Sequence, residues 1–592
     1  MHSNWRCAAR LAAPIPFLFF CFAAPASAQV KQPDVLTYLE RDDNDTLDPA
    51  WVQDTFSWNI IANLYEGLIG IQGESLTEFE PRLSVQAPSR RNGLISKDGL
   101  SYTFPIRQGV RFHSGGELSP QDVKYSLLRQ MFVNCSRSSF LTESILGTQV
   151  SCDEKGDLKP GLFRLAESAV QIRKGAVVIR LAKPFAPFLS ILANSAPVLS
   201  KAWCVAHGEW DGGEASLQKA AGARKQDSYL HSHADGTGPF ALERWGAREI
   251  VFLRNERYWR APARLQRVVI KAVPELNVRR LMLQNGDADV MAASIVELPQ
   301  VQDIPGVRVI EGLQPLLRNP LLFFNFKINP EANSDIGSGK LDGRGIPPGF
   351  FADIDVRRAF AHAVDYPTYI REVLRGRGRP ASGFIPPGLI GYSKEGLNYR
   401  FDPALAAAHF KKAFAGKLWQ TGFHFTILIN SGSAWRPALV QIIKDTVESI
   451  NPKFKIDVRA VQWSTFLDQA QKGAIPLYIQ GEGADYPDTH AFARAFLHSM
   501  GSFQKRMGYS NTAADSLIEK ASAETDPQKR ENLYRRLQRL AHDDIPFIPV
   551  VEPDGDILRV QRSWVQGYKF NPVFPAAPSG SYYYDLWKEE PK

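Results

Sequence analysis

Between residues 423 and 480 the apolar positions recur with two different periods, and the switches between them lay out a β-α-β-α-β unit. Phe423, Phe425, Ile427 and Ile429 stand at every second position, the spacing of a strand half buried on one face. From Arg436 the period lengthens: Pro437 lies near the start of a helix, and Leu439, Val440, Ile443 and Val447 share one side of it. Phe454, Ile456, Val458 and Ala460 return to alternation, a short helix follows around Phe466 and Leu467, and 476–480 makes a third strand. Strands separated by helices imply right-handed crossovers and a mostly parallel sheet. Ligands of such sheets bind beyond the carboxyl ends of the strands, which singles out the loops at 430–436 and 481–490.

The segment 97–129 reads as strand, turn and capped helix. Tyr102, Phe104 and Ile106 alternate, Gly115-Gly116 turns the chain, and Ser119, Pro120 and Asp122 occupy the N-cap, first and third positions of a helix. The Ser119 oxygen can accept a backbone N–H there, and Pro120 gives up an amide that has no helical partner. Asp355 can cap a helix with Val356, Phe360, Ala363 and Val364 on one face. Asp526 and Pro527 open another, striped by Leu533, Leu537, Leu540 and Ala541. Both stripes face a core and offer no partner groove. The stretches 134–157 and 212–227 read as surface insertions.

A chain of 592 residues, 44% hydrophobic and 22% charged, has material for several cores and the balance of a soluble protein. Its first residues carry Arg6 and Arg10, a mostly apolar run at 11–24 and an Ala26-Ser27-Ala28 site, the order of a cleavable secretory leader spanning 1–28. The apolar run is too short to span a bilayer, and Cys21 follows Phe20, too bulky for a lipid-attachment motif. The formal charge of +8 becomes +6 without Arg6 and Arg10, and no Lys/Arg block stands out, which argues against nucleic acid as a partner. Cys135, Cys152 and Cys204 then remain. In an oxidising compartment Cys135 and Cys152 could close a loop worth roughly 3 kcal/mol, Cys204 could equally be one partner, and one thiol stays free and buried.

Catalytic motifs are missing where an enzyme would need them. The chain has no G-x-S-x-G elbow, no H-E-x-x-H and no Walker A loop. Gly337-Ser338-Gly339-Lys340 lacks the leading Gly and the following Ser/Thr of a P-loop and reads as a flexible insertion. His231, His233 and Asp235 have metal-compatible types and spacing, but their Ser/His/Asp/Gly setting reads as a solvated loop. No cofactor is expected.

The 97–129 segment also resembles the signature of the family 5 extracytoplasmic solute-binding proteins, the dipeptide- and oligopeptide-binding components of ABC importers. Leu47-Asp48-Pro49 with 63–68, Gly236-Thr237-Gly238-Pro239-Phe240 with 254–259, the 355–365 helix, Tyr509-Ser510-Asn511 and Asp526-Pro527 extend the resemblance over about 35–570. It implies an α/β fold of two lobes joined by a two-strand hinge. The first lobe would be built from 29–321 and 548–592, with a subdomain at roughly 85–215, and the second from 322–547. It further implies a monomer exported to the periplasm that hands a peptide to inner-membrane permease subunits. In peptide-binding members the Asp corresponding to Asp485 accepts the ligand's α-ammonium, and a Trp commonly stands three residues earlier, where this chain has Glu482. A second carboxylate there would favour a more cationic guest. An Arg near the position of Arg436 grips the α-carboxylate in some dipeptide-binding relatives. Trp463 and Tyr486 are candidates for aromatic walls or for core, Phe56 and Trp58 approach the cleft, and Asp488 shapes the turn after Pro487. The alternatives are a non-peptide solute (an opine, an oligosaccharide, a nickel or other metal chelate) or an exported hydrolase or chaperone on the same scaffold.

Overall fold

The computed structural model describes residues 30–590 apart from 42–44, 53, 136–139, 154, 247, 395, 432, 434, 556 and 574–581. The expected leader, with Arg6, Arg10 and the 26–28 site, lies outside the described residues.

Both ends of the chain meet in one seven-stranded sheet. Its order is Val307–Leu313, Ile557–Arg562, Val290–Ser294, Val35–Glu40, Arg267–Ala272, Glu249–Arg254, Phe240–Trp245. Val35–Glu40 runs parallel to both of its neighbours and the remaining pairs are antiparallel. A separate antiparallel sheet of Ser101–Pro105, Ala176–Arg180 and Val170–Arg173 packs with the helix Pro120–Phe132 into the same core. The Ser119 amide donates to Asp122 Oδ2 at 2.9 Å and its hydroxyl donates to the same oxygen at 2.6 Å, closing the cap that Pro120 follows.

Two strands carry the chain between this half and the middle of the sequence. Leu317–Phe324 pairs antiparallel with Phe547–Pro549 on one side and with Leu477–Gly483 on the other. Leu321, Leu322, Phe323 and Phe324 are all fully buried. Four consecutive buried positions are what a strand shows when both of its faces are covered.

The strand Leu477–Gly483 corrects the parallel-sheet reading. Phe423–Asn430 and Phe454–Val461 do pair in parallel around the helix Arg436–Ile450, as the strand-helix-strand order implies, though Val458 and Ala460 of the second alternating run are exposed. The third strand joins Leu317–Phe324 antiparallel instead, with Leu477, Tyr478 and Ile479 set against its fully buried run 321–324. Alternation shows which face of a strand is buried and carries no information about which edge it pairs with.

Three smaller readings change as well. Asp353, two residues before Asp355, caps the helix Ile354–Ala363, and Asp355 holds His409 Nδ1 at 2.7 Å. The stretch 134–157 is no surface insertion: 141–146 is buried throughout, tied down by a Cys135–Cys152 disulfide that packs against Ala221. Cys204 is the free, buried thiol, pushed up to about 12 by burial. The 337–340 run folds into a turn closed by a Gly337–Gly345 bridge, with Ile336 and Ile346 buried beneath it.

Candidate functional site

The strand Leu477–Gly483 is fully buried only as far as Ile479 and stays paired through Gly483, and the chain then turns through 484–488 into the helix Thr489–Leu497. Asp488 caps that helix by accepting from His490 N at 2.8 Å. It also takes a bidentate pair from Arg530, Nη1 at 2.8 Å and Nη2 at 2.7 Å, which raises the Arg530 pKa against the lowering effect of burial. Its role is to fix the loop, in keeping with a turn residue.

Asp485 is half-buried in this loop. Its carbonyl oxygen accepts from Asn194 Nδ2 at 2.5 Å and from Ser195 Oγ at 3.3 Å. Those donors sit at the end of the helix Phe188–Ser195, almost 300 residues earlier and in the other half of the molecule. Tyr486 is fully buried: its hydroxyl meets His490 Nδ1 at 2.7 Å, and its ring meets Phe140 edge-on at 4.9 Å. It belongs to the core of the chain-terminal half, together with Ala491. Of the two readings open for Tyr486, core packing is the one the structure displays. Phe56 lies buried and Trp58 half-buried against that same core.

Glu482 is half-buried and in register with Arg318 of the neighbouring strand, so the two side chains share a face of the sheet. Arg318 is buried and donates to the Phe384 and Ile385 carbonyls and to Glu552 Oε2 at 3.4 Å. Burial pulls its pKa down to about 10, against the raising influence of Glu552. Glu552 also accepts from Tyr392 at 2.8 Å and from Arg379. The anionic position at 482 therefore has a buried cation as its cross-strand neighbour.

Arg436 opens the helix Arg436–Ile450 and is buried rather than at the surface. It bridges two sheets, with Nε donating to Ile479 O at 3.1 Å and Nη1 donating to Asn430 Oδ1. Its guanidinium lies 4.6 Å from the centre of the Trp435 ring and 6.0 Å from that of Trp463. Trp463 is 39% exposed and stacks on Phe466 at 5.5 Å, so its ring is partly open to solvent beside Arg436.

Residues that the sequence reading missed surround the 484–490 loop. Glu143 lies against the helix Thr489–Leu497, with Oε2 2.6 Å from Arg494 Nε and Oε1 3.4 Å from His490 Nε2. Burial alone would raise its pKa, but Arg494 and His490 outweigh that and hold it at about 2. Burial lowers the His498 pKa nearby. Asn194, Ser195 and Glu143 carry no local signal, because the partners that give them meaning are roughly 300 residues away. His231, His233 and Asp235 diverge: His231 Nδ1 meets Thr46 Oγ1 at 3.1 Å, His233 stacks on Tyr229 at 3.9 Å, and Asp235 accepts from Ser114 N and Oγ. Among the described residues no group of three or more His, Cys, Asp or Glu is placed to hold a metal ion, and no helix is long and apolar enough to cross a membrane.

Known proteins share this architecture. Residues 90–504 match the family described as Bacterial extracellular solute-binding proteins, family 5 Middle. The chain is 26% identical over 576 residues to Di/tripeptide-binding protein 2 of Pseudomonas aeruginosa, covering 94% of this chain and 96% of that protein. It is also 26% identical over 535 residues to Heme-binding protein A of Haemophilus influenzae, covering 88% of each. In three dimensions it matches the ABC transporter-associated periplasmic binding protein DppA from Helicobacter pylori in complex with peptide STSA. The TM-score is 0.72 at 25% identity, over 94% of this chain and 98% of that one. The α/β architecture with two lobes is common to them, and the chain belongs to the family 5 bacterial extracellular solute-binding proteins.

Proposed function

We propose that this chain is the solute-binding component of an ABC importer and that it captures a peptide between two lobes. The first lobe comprises 29–321 and 548–592 with its subdomain near 85–215, and the second comprises 322–547. The chain passes between them through Leu317–Phe324 and Phe547–Pro549. A leader at 1–28 sends it to the periplasm, where it works as a monomer, performs no reaction and delivers its ligand to membrane permease subunits. Ligand contacts from both lobes bias an open–closed equilibrium, and the permease reads the closed form.

The observation that carries this reading is the grip of Asn194 and Ser195 on the Asp485 carbonyl, which brings a half-buried carboxylate residue to the contact between the two halves. In this reading Asp485 accepts the ligand's α-ammonium through charge-assisted hydrogen bonds. Arg436, framed by Trp435 and Trp463, meets the carboxylate end. Tyr486 supports the loop from behind. Glu482 adds negative charge at the rim, offset by Arg318 beneath it, and biases the site toward peptides with Lys or Arg.

Thermal unfolding with unblocked di- and tripeptides, beside an opine, an oligosaccharide, haem and a nickel chelate, tests the proposal. A bound peptide at a hundredfold excess over its Kd adds about 3 kcal/mol of stability. Asp485→Ala abolishes that shift and leaves the ligand-free melting point in place. A shift with a non-peptide solute and none with any peptide would replace the ligand assignment.

A further inference from the structure

The loop that carries Asp485 is held from the opposite half of the molecule at three successive places. Asn194 and Ser195 hold the carbonyl of Asp485 itself. Phe140 packs edge-on against Tyr486. Glu143 faces His490 and Arg494 one and two turns into the following helix. Gln149 completes the last contact, donating to Glu143 Oε1 at 3.1 Å and accepting from Arg494 Nη2. Phe185 lies edge-on to His490 at 5.2 Å, and Ala186 N donates to Ser522 O at 2.7 Å.

We infer that Glu143 is a positioning residue for ligand capture, setting the Asp485 loop in place when the two halves of the molecule meet. The lobe assignment and the role of Asp485 rest on the function proposed above. Glu143 projects from the turn Thr142–Leu146, among the buried Leu141, Ile145 and Leu146. The basic side chains that face it, Arg494 and His490 directly and His498 farther off, all come from the other half. His490 passes the contact on to the residue after Asp485, because its second ring nitrogen holds the Tyr486 hydroxyl. A carboxylate in this position does more than pack. It ties the register of the helix Thr489–Leu497, and with it the loop ahead of that helix, to the opposite lobe. Parting the lobes separates Glu143 from Arg494 and frees the Asp485 loop in the same movement, so the ammonium site is assembled by closure.

The test compares the full-length mature protein with Glu143→Gln, using hydrogen exchange, small-angle scattering and titration with unblocked dialanine. Loss of one partner of a buried pair frees the other, so amides in 484–490 are expected to exchange about tenfold faster or more. The ligand-free radius of gyration rises, and any dialanine affinity falls by a similar factor. Exchange in the paired strands Phe423–Asn430 and Phe454–Val461 stays at the parental rate. If the loop and those strands speed up equally, Glu143 is only a structural residue; if neither changes, it positions nothing. Either result overturns the inference. Should Glu143→Gln not fold, the double variant Glu143→Gln/Arg494→Met, neutral on both sides, is expected to fold with a fast-exchanging loop. A slow loop in that variant also overturns the inference. Asp485→Ala keeps the loop at its parental exchange rate while abolishing any dialanine binding. A parent that ignores dialanine but shows the Glu143→Gln loop effect leaves the positioning role standing and removes the peptide assignment alone.

Discussion

Two of the regions where the halves of this molecule meet are built from opposite chemistry. Where the chain crosses, Leu321, Leu322, Phe323 and Phe324 stack on Leu477, Tyr478 and Ile479 and on Phe547 and Ile548, all of them buried. Phe323 alone meets Phe503 at 4.4 Å, Phe547 at 5.2 Å and Phe496 at 5.6 Å. Where 140–149 and 185–195 meet 484–494, the contacts are an ion pair, amide and hydroxyl donors and ring edges. Apolar burial has no direction and survives small rotations. Hydrogen bonds and buried ion pairs hold in one geometry and are costly when half made. The first region can serve as a pivot, and the second can register a single relative placement of the lobes.

The largest effect should come from the pivot. Phe323→Ala removes a fully buried ring that contacts Phe503, Phe547, Phe496 and Tyr478 and is expected to cost about 3–5 kcal/mol of global stability. Denaturant titration would show a lower midpoint, with exchange accelerated across the molecule rather than at 484–490. Acceleration confined to that loop would erase the distinction between the two regions.

That distinction also explains what could be seen in the sequence. The crossing strand is legible in part because its signal is local: the run 321–324 is apolar at every position. The Pro-opened helix follows from periodicity and its first-turn proline, and the parallel pairing of Phe423–Asn430 with Phe454–Val461 from the strand-helix-strand order around it. The partner of Leu477–Gly483 is a matter of edges, which alternation does not encode, and Asp353 and Asp355 compete for one cap within two residues. The clamp region was the least legible. Asp485 could be named from its motif, but the meaning of Asn194 depends on a residue 291 positions away. Glu143 lay in a stretch that its composition presented as surface. Arg436 was found by position, while its commitment to Ile479 and Asn430 depends on how two sheets meet.

Acid should act on the clamp and spare the pivot. The Glu143 pKa is depressed from 4.5 to about 2, so the stability it contributes is fully present above pH 4.5 and is lost as pH falls toward 2. That shift corresponds to about 3 kcal/mol. The parent should exceed Glu143→Gln in unfolding free energy by this order at pH 6, and the gap should close on acidification. A gap that stays constant from pH 6 to pH 2 would show that Glu143 contributes no charge interaction.

Reduction of the Cys135–Cys152 disulfide should have a somewhat smaller effect, again on the clamp side. The bond spans 17 residues and encloses Phe140, Glu143 and Gln149, the residues that face 486–494. Opening it is expected to cost roughly 2–3 kcal/mol and to speed amide exchange in 140–149 while the Leu317–Phe324 strand keeps its protection. Loss of protection in that strand would mean that the disulfide stabilises the whole fold and not the segment it closes.

The smallest change is the sharpest. Asn194→Ala deletes one donor to the Asp485 carbonyl and leaves Ser195, Phe140 and Glu143 in place. A single hydrogen bond of this kind contributes about 1 kcal/mol. Asn194 is only part-buried, so its loss should lower global stability by less than that. In the proposed closure the same bond is made only when the lobes meet; its whole contribution then belongs to the closed form, and ligand affinity should fall severalfold, by the factor that about 1 kcal/mol represents. Calorimetry on the bound and free protein separates the two quantities. An affinity loss larger than the stability loss identifies the contact as one formed on closure. A stability loss with unchanged affinity would mean that 188–195 and 484–490 never part, and that closure happens elsewhere on the cleft.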